Sequence, residues 1–228
     1  MHFDETNWQG VEKYLQQDDR VMLILGASEQ HADLSLLTDS KIPLALAGAA
    51  SKLSGVIIAP PLHFGVSPYF LTYPGTISIQ VDTYVRVVED IIRSLYGYGF
   101  RRVLILNGHG GNAPAKVHLH AVVNALAGLR VKWYSWWLSQ VVVKFAAENG
   151  LATQHANWME NFTFTRISSS PNYRKPLVEA GSEILSAEKT RERVMDGSYG
   201  GDYQVSDHLM QKLFDLCLAE VLEELKFN

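Results

Sequence analysis

The chain has a single cysteine, no run of basic residues and no uninterrupted apolar stretch of membrane-spanning length. Cys217 has no partner for an internal disulfide, so no cross-linked framework is expected. Lysine plus arginine number 20 against 24 acidic residues, giving a formal net charge of -4 and a pI near 6.1. That balance lacks the basic footprint of a nucleic-acid or anionic-membrane binder, and the expected partner is a small molecule or a peptide. The first residues, MHFDETNWQG, lack the basic-then-apolar pattern of a secretory signal, so a cytoplasmic location is expected.

What is present is the composition of an ordinary folded protein: 228 residues, 47% hydrophobic and 19% charged. This length suits one α/β domain over residues 1–228. Short β-branched or apolar runs alternate with segments of helical periodicity, the pattern of a βαβ fold with a mainly parallel sheet. Strands are expected at 21–25 (VMLIL), 56–59 (VIIA), 76–79 (TISI), 103–106 (VLIL) and 131–134 (VKWY). Their near-continuous apolar character implies burial on both faces. Helices are expected over 7–17, 39–53, 82–97, 113–127, 182–196 and 206–226. The third carries Val85, Val88, Ile91, Ile92 and Leu95 on one stripe.

Residues with chemistry follow two of these strands. Gly26-Ala27-Ser28-Glu29-Gln30-His31 comes directly after VMLIL, and Asp39 lies eight residues beyond His31. In open parallel sheets, sites form in loops at the carboxyl ends of strands. In an extended segment Glu29 and His31 project to the same side, where both can meet one ion. Asn107-Gly108-His109-Gly110-Gly111-Asn112 follows VLIL, and its glycines permit positive φ and close backbone approach around one imidazole. Two carboxylates and two histidines make a mixed oxygen and nitrogen set suited to Zn, Mn or Fe rather than Ca or Mg. Any one of the four alone reads as a structural hydrogen-bonding residue. All four at strand ends without a shared partner would be costly. A third segment, His155-Ala156-Asn157-Trp158-Met159-Glu160, offers His155 as the acid that protonates a leaving amine, with a structural histidine as the alternative.

In this order, Ser28-Glu29-Gln30-His31, Thr38-Asp39, Tyr73-Pro74-Gly75-Thr76, NGHGGN at 107–112 and His155-Ala156 with Glu160 resemble the creatininase (creatinine amidohydrolase) family, over residues 8–165. The resemblance implies a three-layer α/β/α fold and a ring-like homo-oligomer such as a hexamer. It also implies one or two divalent metal ions activating water against a small-molecule cyclic amide or formamide, or against a short peptide. It places Glu29, Asp39 and His109 on one metal and His31 with Asp39 on a second, Asp39 bridging. His155 falls at a substrate-binding or proton-shuttling position and Glu160 at that of a carboxylate that orients it.

The chain departs from the family pattern at several points. Gly111 stands where creatininase proper has a glutamate serving the second metal. Residues 32–37 read ADLSLL where many relatives carry Gly and Pro, Phe70 replaces a histidine before the PGT motif, and HAG reads His155-Ala156-Asn157. The Phe70 and Asn157 changes are expected to lie near the pocket. Ser28, in Gly26-Ala27-Ser28-Glu29-Gln30, lacks the final glycine of a nucleophile elbow, which discounts a serine hydrolase. NGHGGN is neither a GxGxxG nor a Walker sequence. A metal- or ligand-binding subunit without turnover stays open as a different class. Trp133, Trp136, Trp137 and Trp158 read equally as core, pocket wall or oligomer contact, and Cys217 with Leu213, Leu216 and Val221 reads as a core stripe.

Overall fold

A computed structural model describes residues 1–179 and 181–228. Its centre is a parallel four-stranded sheet of β1 (Arg20–Leu25), β2 (Ile57–Ile58), β3 (Arg102–Asn107) and β4 (Arg130–Ser135), in the order β2-β1-β3-β4. Alternation of side chains across the strands divides the core in two. Met22, Ile24, Leu104 and Leu106 face α2 (Thr38–Ser54), α5 (Gln140–Glu148) and α7 (Asp207–Glu224). Val21, Leu23, Leu25, Val103 and Ile105 face α3 (Val81–Tyr98) and α4 (Ala113–Ala125), with α1 (Trp8–Leu15) at the edge of this layer. The three-layer α/β/α architecture is thereby realised, with both faces of β1 and β3 buried.

The strand order reverses at β1. The chain leaves β1 through α2 to pair β2 on one side, then crosses back through α3 to place β3 on the other. The loops after β1 and β3 therefore diverge to opposite faces and leave a crevice between the carboxyl ends of two adjacent strands. Both histidine-bearing segments open from that crevice.

Several elements differ from their sequence reading. Residues 76–79 do not join the sheet; they form isolated bridges, Ser28 with Ile77 and Gly65 with Ser78. Ile77 N–H donates to the Ser28 carbonyl and Gln30 N–H to Thr76 Oγ1, so this segment clamps the loop that carries Glu29 and His31. The helix expected over 182–196 is confined to α6 (Ala187–Val194), because Ser186 caps it by accepting from Lys189 N–H. Helix α5, capped by Ser139, was hidden by its β-branched run Val141-Val142-Val143, which reads as strand-like. On α7, Leu213, Cys217 and Val221 are buried, but Leu216 is 41% exposed and leaves the stripe. Trp136 and Trp158 are core, whereas Trp137 reaches the crevice. Among the described residues no helix is long and apolar enough to cross a membrane.

One contact locks the site loops to the layers. Pro43, inside α2, has no N–H to give the Asp39 carbonyl four residues back. The turn after β3 packs against that freed carbonyl: a Cβ on Gly108 would lie 1.8 Å from Asp39 O and 3.0 Å from Pro43 Cγ. Gly108 N–H meanwhile donates to the Leu25 carbonyl at 2.8 Å, joining the ends of β1 and β3. None of Gly108, Gly110 and Gly111 has positive φ; Gly108 and Gly111 serve close approach, whereas Gly110 faces open space. Gly108→Ala is expected to destabilise the fold by about 3 kcal/mol in denaturant unfolding, since a backbone atom must move. Gly110→Ala, where an added Cβ meets nothing within 4 Å, should stay within about 0.5 kcal/mol of wild type.

Candidate metal centre

The structure brings all six predicted residues to one place. Glu29, His31, Asp39, His109 and Glu160 are buried, and His155 is 22% exposed at the side chain. They sit at the floor of a cavity of about 380 Å3 in the β1/β3 crevice, with His31 beneath the lining.

Asp39 stands in the first turn of α2 and divides its carboxylate between the two histidines. Oδ1 lies 3.0 Å from His31 Nε2, and Oδ2 lies 2.9 Å from His109 Nδ1. Each histidine has its other nitrogen on a backbone carbonyl: His31 Nδ1 on Glu29 O at 3.1 Å, His109 Nε2 on Val66 O at 3.0 Å. Donation of those N–H groups fixes the tautomers and turns a bare nitrogen of each ring toward the carboxylates. Glu29 Oε2, His31 Nε2 and Asp39 Oδ2 are buried and, among the described residues, have no hydrogen-bond partner. They converge on shared points instead. Ligand atoms of Glu29, Asp39 and His109 lie within 4.8 Å of one another, and so do those of His31, Asp39 and Glu160 and those of Glu29, His31 and His155.

The ionisation of the group is governed by burial without a fixed cation. The ion-pair partners of Glu29, Asp39 and Glu160 are histidines, not lysine or arginine. Desolvation pushes Glu29 up to about 7 against the pull of His109, and Glu160 up to about 7 against that of His31. Desolvation opposes charging of His31, but Asp39 and Glu160 outweigh it and raise the imidazole to about 10; Glu29 and Asp39 likewise raise His109 to about 9. Desolvation also opposes ionisation of Asp39, yet both histidines hold its carboxyl well below the usual range. Without a metal, protons must serve as the counter-charge. A divalent cation fits the same donors better, since it binds neutral imidazoles and carboxylates together.

The loops are held by their own polar residues. Asn107 donates to the His109 carbonyl at 2.9 Å, and Asn112 donates to Asn107 Oδ1 and to the Gly26 carbonyl, both at 3.1 Å. The two asparagines of NGHGGN thus tie the turn to itself and to the end of β1. Gln30 donates to the Gly197 carbonyl and accepts from Ala32 N–H, each at 3.1 Å. Ala32 and Ala156, each directly after a site histidine, have positive φ of 51° and 53°. Such conformations are held by surrounding structure at a local energetic cost.

His155 Nε2 lies 3.1 Å from the Gln30 carbonyl oxygen and 3.0 Å from Gln30 Nε2, while Nδ1 faces Glu29 Oε1 at 3.8 Å. Phe70 stacks on the His155 ring with centroids 5.0 Å apart. The departure at Phe70 therefore does border the cavity. Asn157 does not: it caps the 3-10 turn Trp158–Glu160 and donates to the carbonyls of Ala152 and Gly200. Glu160 also departs from expectation. It does not bond the His155 ring; its Oε2 accepts from Ala156 N–H at 2.6 Å and its Oε1 faces His31 Nε2 at 3.8 Å. Trp137 takes the pocket-wall reading of the three open to it, and Tyr69 and Tyr199, unsignalled by any motif because wall residues need only shape, line the cavity with it.

The chain is similar to several known proteins. A mycofactocin precursor peptide peptidase from Mycolicibacterium smegmatis is 33% identical over 102 residues, 42% of this chain and 41% of the relative. Creatinine amidohydrolase from Pseudomonas putida is 30% identical over 116 residues, 48% of this chain and 45% of the relative. The chain thus spans under half the length of these curated relatives. A solved structure described as "Creatininase Mn" superposes with a TM-score of 0.81 at 20% identity, covering 99% of this chain and 97% of the other. The sequence model of the family described as creatinine amidohydrolase matches residues 4–225, and the chain belongs to the creatininase family.

Proposed function

We propose that this protein is a metal-dependent hydrolase that cleaves a non-peptide carbon–nitrogen bond, a cyclic amide or a formamide, of a small molecule. The observation that carries the reading is the set of buried carboxylate and imidazole atoms that approach to about 3 Å without hydrogen-bonding. Glu29, Asp39 and His109 hold the ion, with His31 beside Asp39. A bound divalent ion supplies Lewis acidity, polarising a carbonyl and acidifying water. The cavity of about 380 Å3 is in the range of small-molecule sites, which favours a compact substrate over a long peptide.

The chain's own residues supply the proton traffic. His155 has a partner at Nε2 for either neutral tautomer: the Gln30 carbonyl accepts, or the Gln30 side-chain amide donates. The proton at Nδ1 can therefore come and go without stranding a buried nitrogen. Nδ1 faces the ligand cluster, where it can pass a proton to a departing nitrogen, a group that leaves poorly as an anion. The Phe70 stack fixes the plane of the ring and keeps water off one face. The homo-oligomer belongs to the same proposal, supported by the family alone; light scattering should return a multiple of the 25.5 kDa chain rather than a single copy.

Purified protein reconstituted with Zn, Mn or Fe is expected to retain bound metal on gel filtration and to lose amide hydrolysis with a strong chelator. Asp39→Ala should reduce metal content to background, because both histidines lose their shared carboxylate. A chain that retains no metal after reconstitution would refute the assignment. His155→Gln is expected to lower kcat by roughly 10²–10⁴-fold with metal content unchanged. A binding subunit without turnover would have no rate to lose.

A further inference from the structure

We propose that Tyr69 is a catalytic residue: its phenol O–H donates a hydrogen bond to the substrate's carbonyl oxygen as negative charge builds there. The inference rests on the hydrolase reading above and assigns a residue of this chain to the oxygen of the amide, where His155 serves the nitrogen.

Tyr69 reaches the ligand cluster from the cavity wall. Its hydroxyl lies 3.5 Å from His109 Nε2, the one hydrogen-bonding contact it makes among the described residues. That nitrogen already donates to the Val66 carbonyl at 3.0 Å, and Ser67 Oγ lies 3.1 Å from it as well. With a proton on Nε2, the Tyr69 oxygen can only accept there, so the phenol's own proton is not taken up by the protein. The side chain lines the cavity together with Glu29, Asp39 and His109, and its O–H is available to a molecule bound beside them.

The cavity calls for such a donor. Among the described residues neither lysine nor arginine lines it, and its floor is carboxylate. Charge arriving on a substrate oxygen therefore needs a neutral donor besides the ion, and a donor already in place costs no rearrangement at the moment of reaction. The turn that carries Tyr69 is fastened at both ends. Pro68 opens the 3-10 turn Pro68–Phe70, Ser67 N–H donates to Ser78 Oγ at 2.9 Å, and Phe70 N–H donates to the Ser67 carbonyl at 3.2 Å. The Tyr69 ring meets Phe70 edge-on at 4.8 Å, and Phe70 stacks on His155 at 5.0 Å. Phe70 thus stands between the two polar groups, so that Tyr69 and His155 address a substrate from different sides, as the oxygen and nitrogen of one amide require.

The step balances without a proton from Tyr69. Water gives one proton to His155 Nδ1 and adds to the amide carbon as hydroxide, which moves the C=O electron pair onto oxygen. Collapse restores the C=O bond and breaks the C–N bond, and the nitrogen leaves with the proton that His155 returns. Tyr69 keeps its hydrogen throughout and binds most strongly while the oxygen is charged.

The test is calorimetric titration of metal-reconstituted protein, wild type and Tyr69→Phe, with methylphosphonate, a tetrahedral anion that resembles the charged adduct. Metal content is measured on the same samples. Tyr69→Phe keeps the ring and its edge contact with Phe70 and removes only the hydroxyl. It is expected to hold as much metal as wild type and to bind methylphosphonate at least about tenfold more weakly. On an amide that wild type hydrolyses, its kcat should fall roughly 10²–10³-fold with little change in KM.

Equal methylphosphonate affinity in the two proteins would overturn the inference, as would a metal-loaded wild type that does not bind the anion. Loss of metal from Tyr69→Phe would also overturn it, because Tyr69 would then act by orienting His109. Each of these outcomes spares the proposed function. Wild-type protein that takes up no metal would sink that function, and this inference with it.

Discussion

The arrangement of Asp39 between two imidazoles is the constraint on which the rest depends. A buried carboxylate with no lysine or arginine beside it is expensive to maintain, and here Glu29 and Glu160 are buried next to it. The desolvation penalty is several kcal/mol per ion in real proteins. Histidines offset it only by taking up protons, which accounts for the upward displacement of both His31 and His109. A site that must be neutralised from outside is a site for a cation. The orienting bonds of both rings to backbone carbonyls, and the anchoring of Glu160 by Ala156 N–H, set the donors in place before any ion arrives.

The fold delivers these groups by topology rather than by local propensity. Reversal of strand order at β1 opens a crevice between β1 and β3, and the two loops that leave it carry Glu29, His31 and His109. Asp39 arrives from α2, whose missing hydrogen bond at Pro43 leaves the Asp39 carbonyl for Gly108 to pack against. The same contact therefore couples the helix to the turn and brings Asp39 beside His109. The 76–79 segment, joined to the loop after β1, closes the arrangement from outside the sheet.

Much of this was legible in the sequence. Strand-end placement of EQH and NGHGGN, and the recurrence of Asp39 and His155 in a recognisable order, pointed to both the fold and the cluster. What was not legible depended on contacts between distant segments. The sheet exclusion of 76–79 is a tertiary effect, since its alternating pattern equally suits a clamp on a neighbouring loop. The glycines of the turn were expected to permit positive φ and close backbone approach; only the second is used, at Gly108 and Gly111, which admit the backbone of α2 and of Val66. Asn157 looked like a pocket substitution and is a cap, because the side chain turns back on its own segment. Glu160 was read as orienting His155, and its carboxylate faces His31 instead, a contact between distant segments.

The central claim is that the buried cluster exists to hold a cation. It is tested most directly by thermal unfolding of metal-stripped protein with and without added Zn2+ or Mn2+. Ligation to the folded state alone predicts a rise in stability of about 2.7 kcal/mol at a hundredfold excess over Kd, growing with metal concentration. An unfolding transition that does not move at any metal concentration would contradict the account.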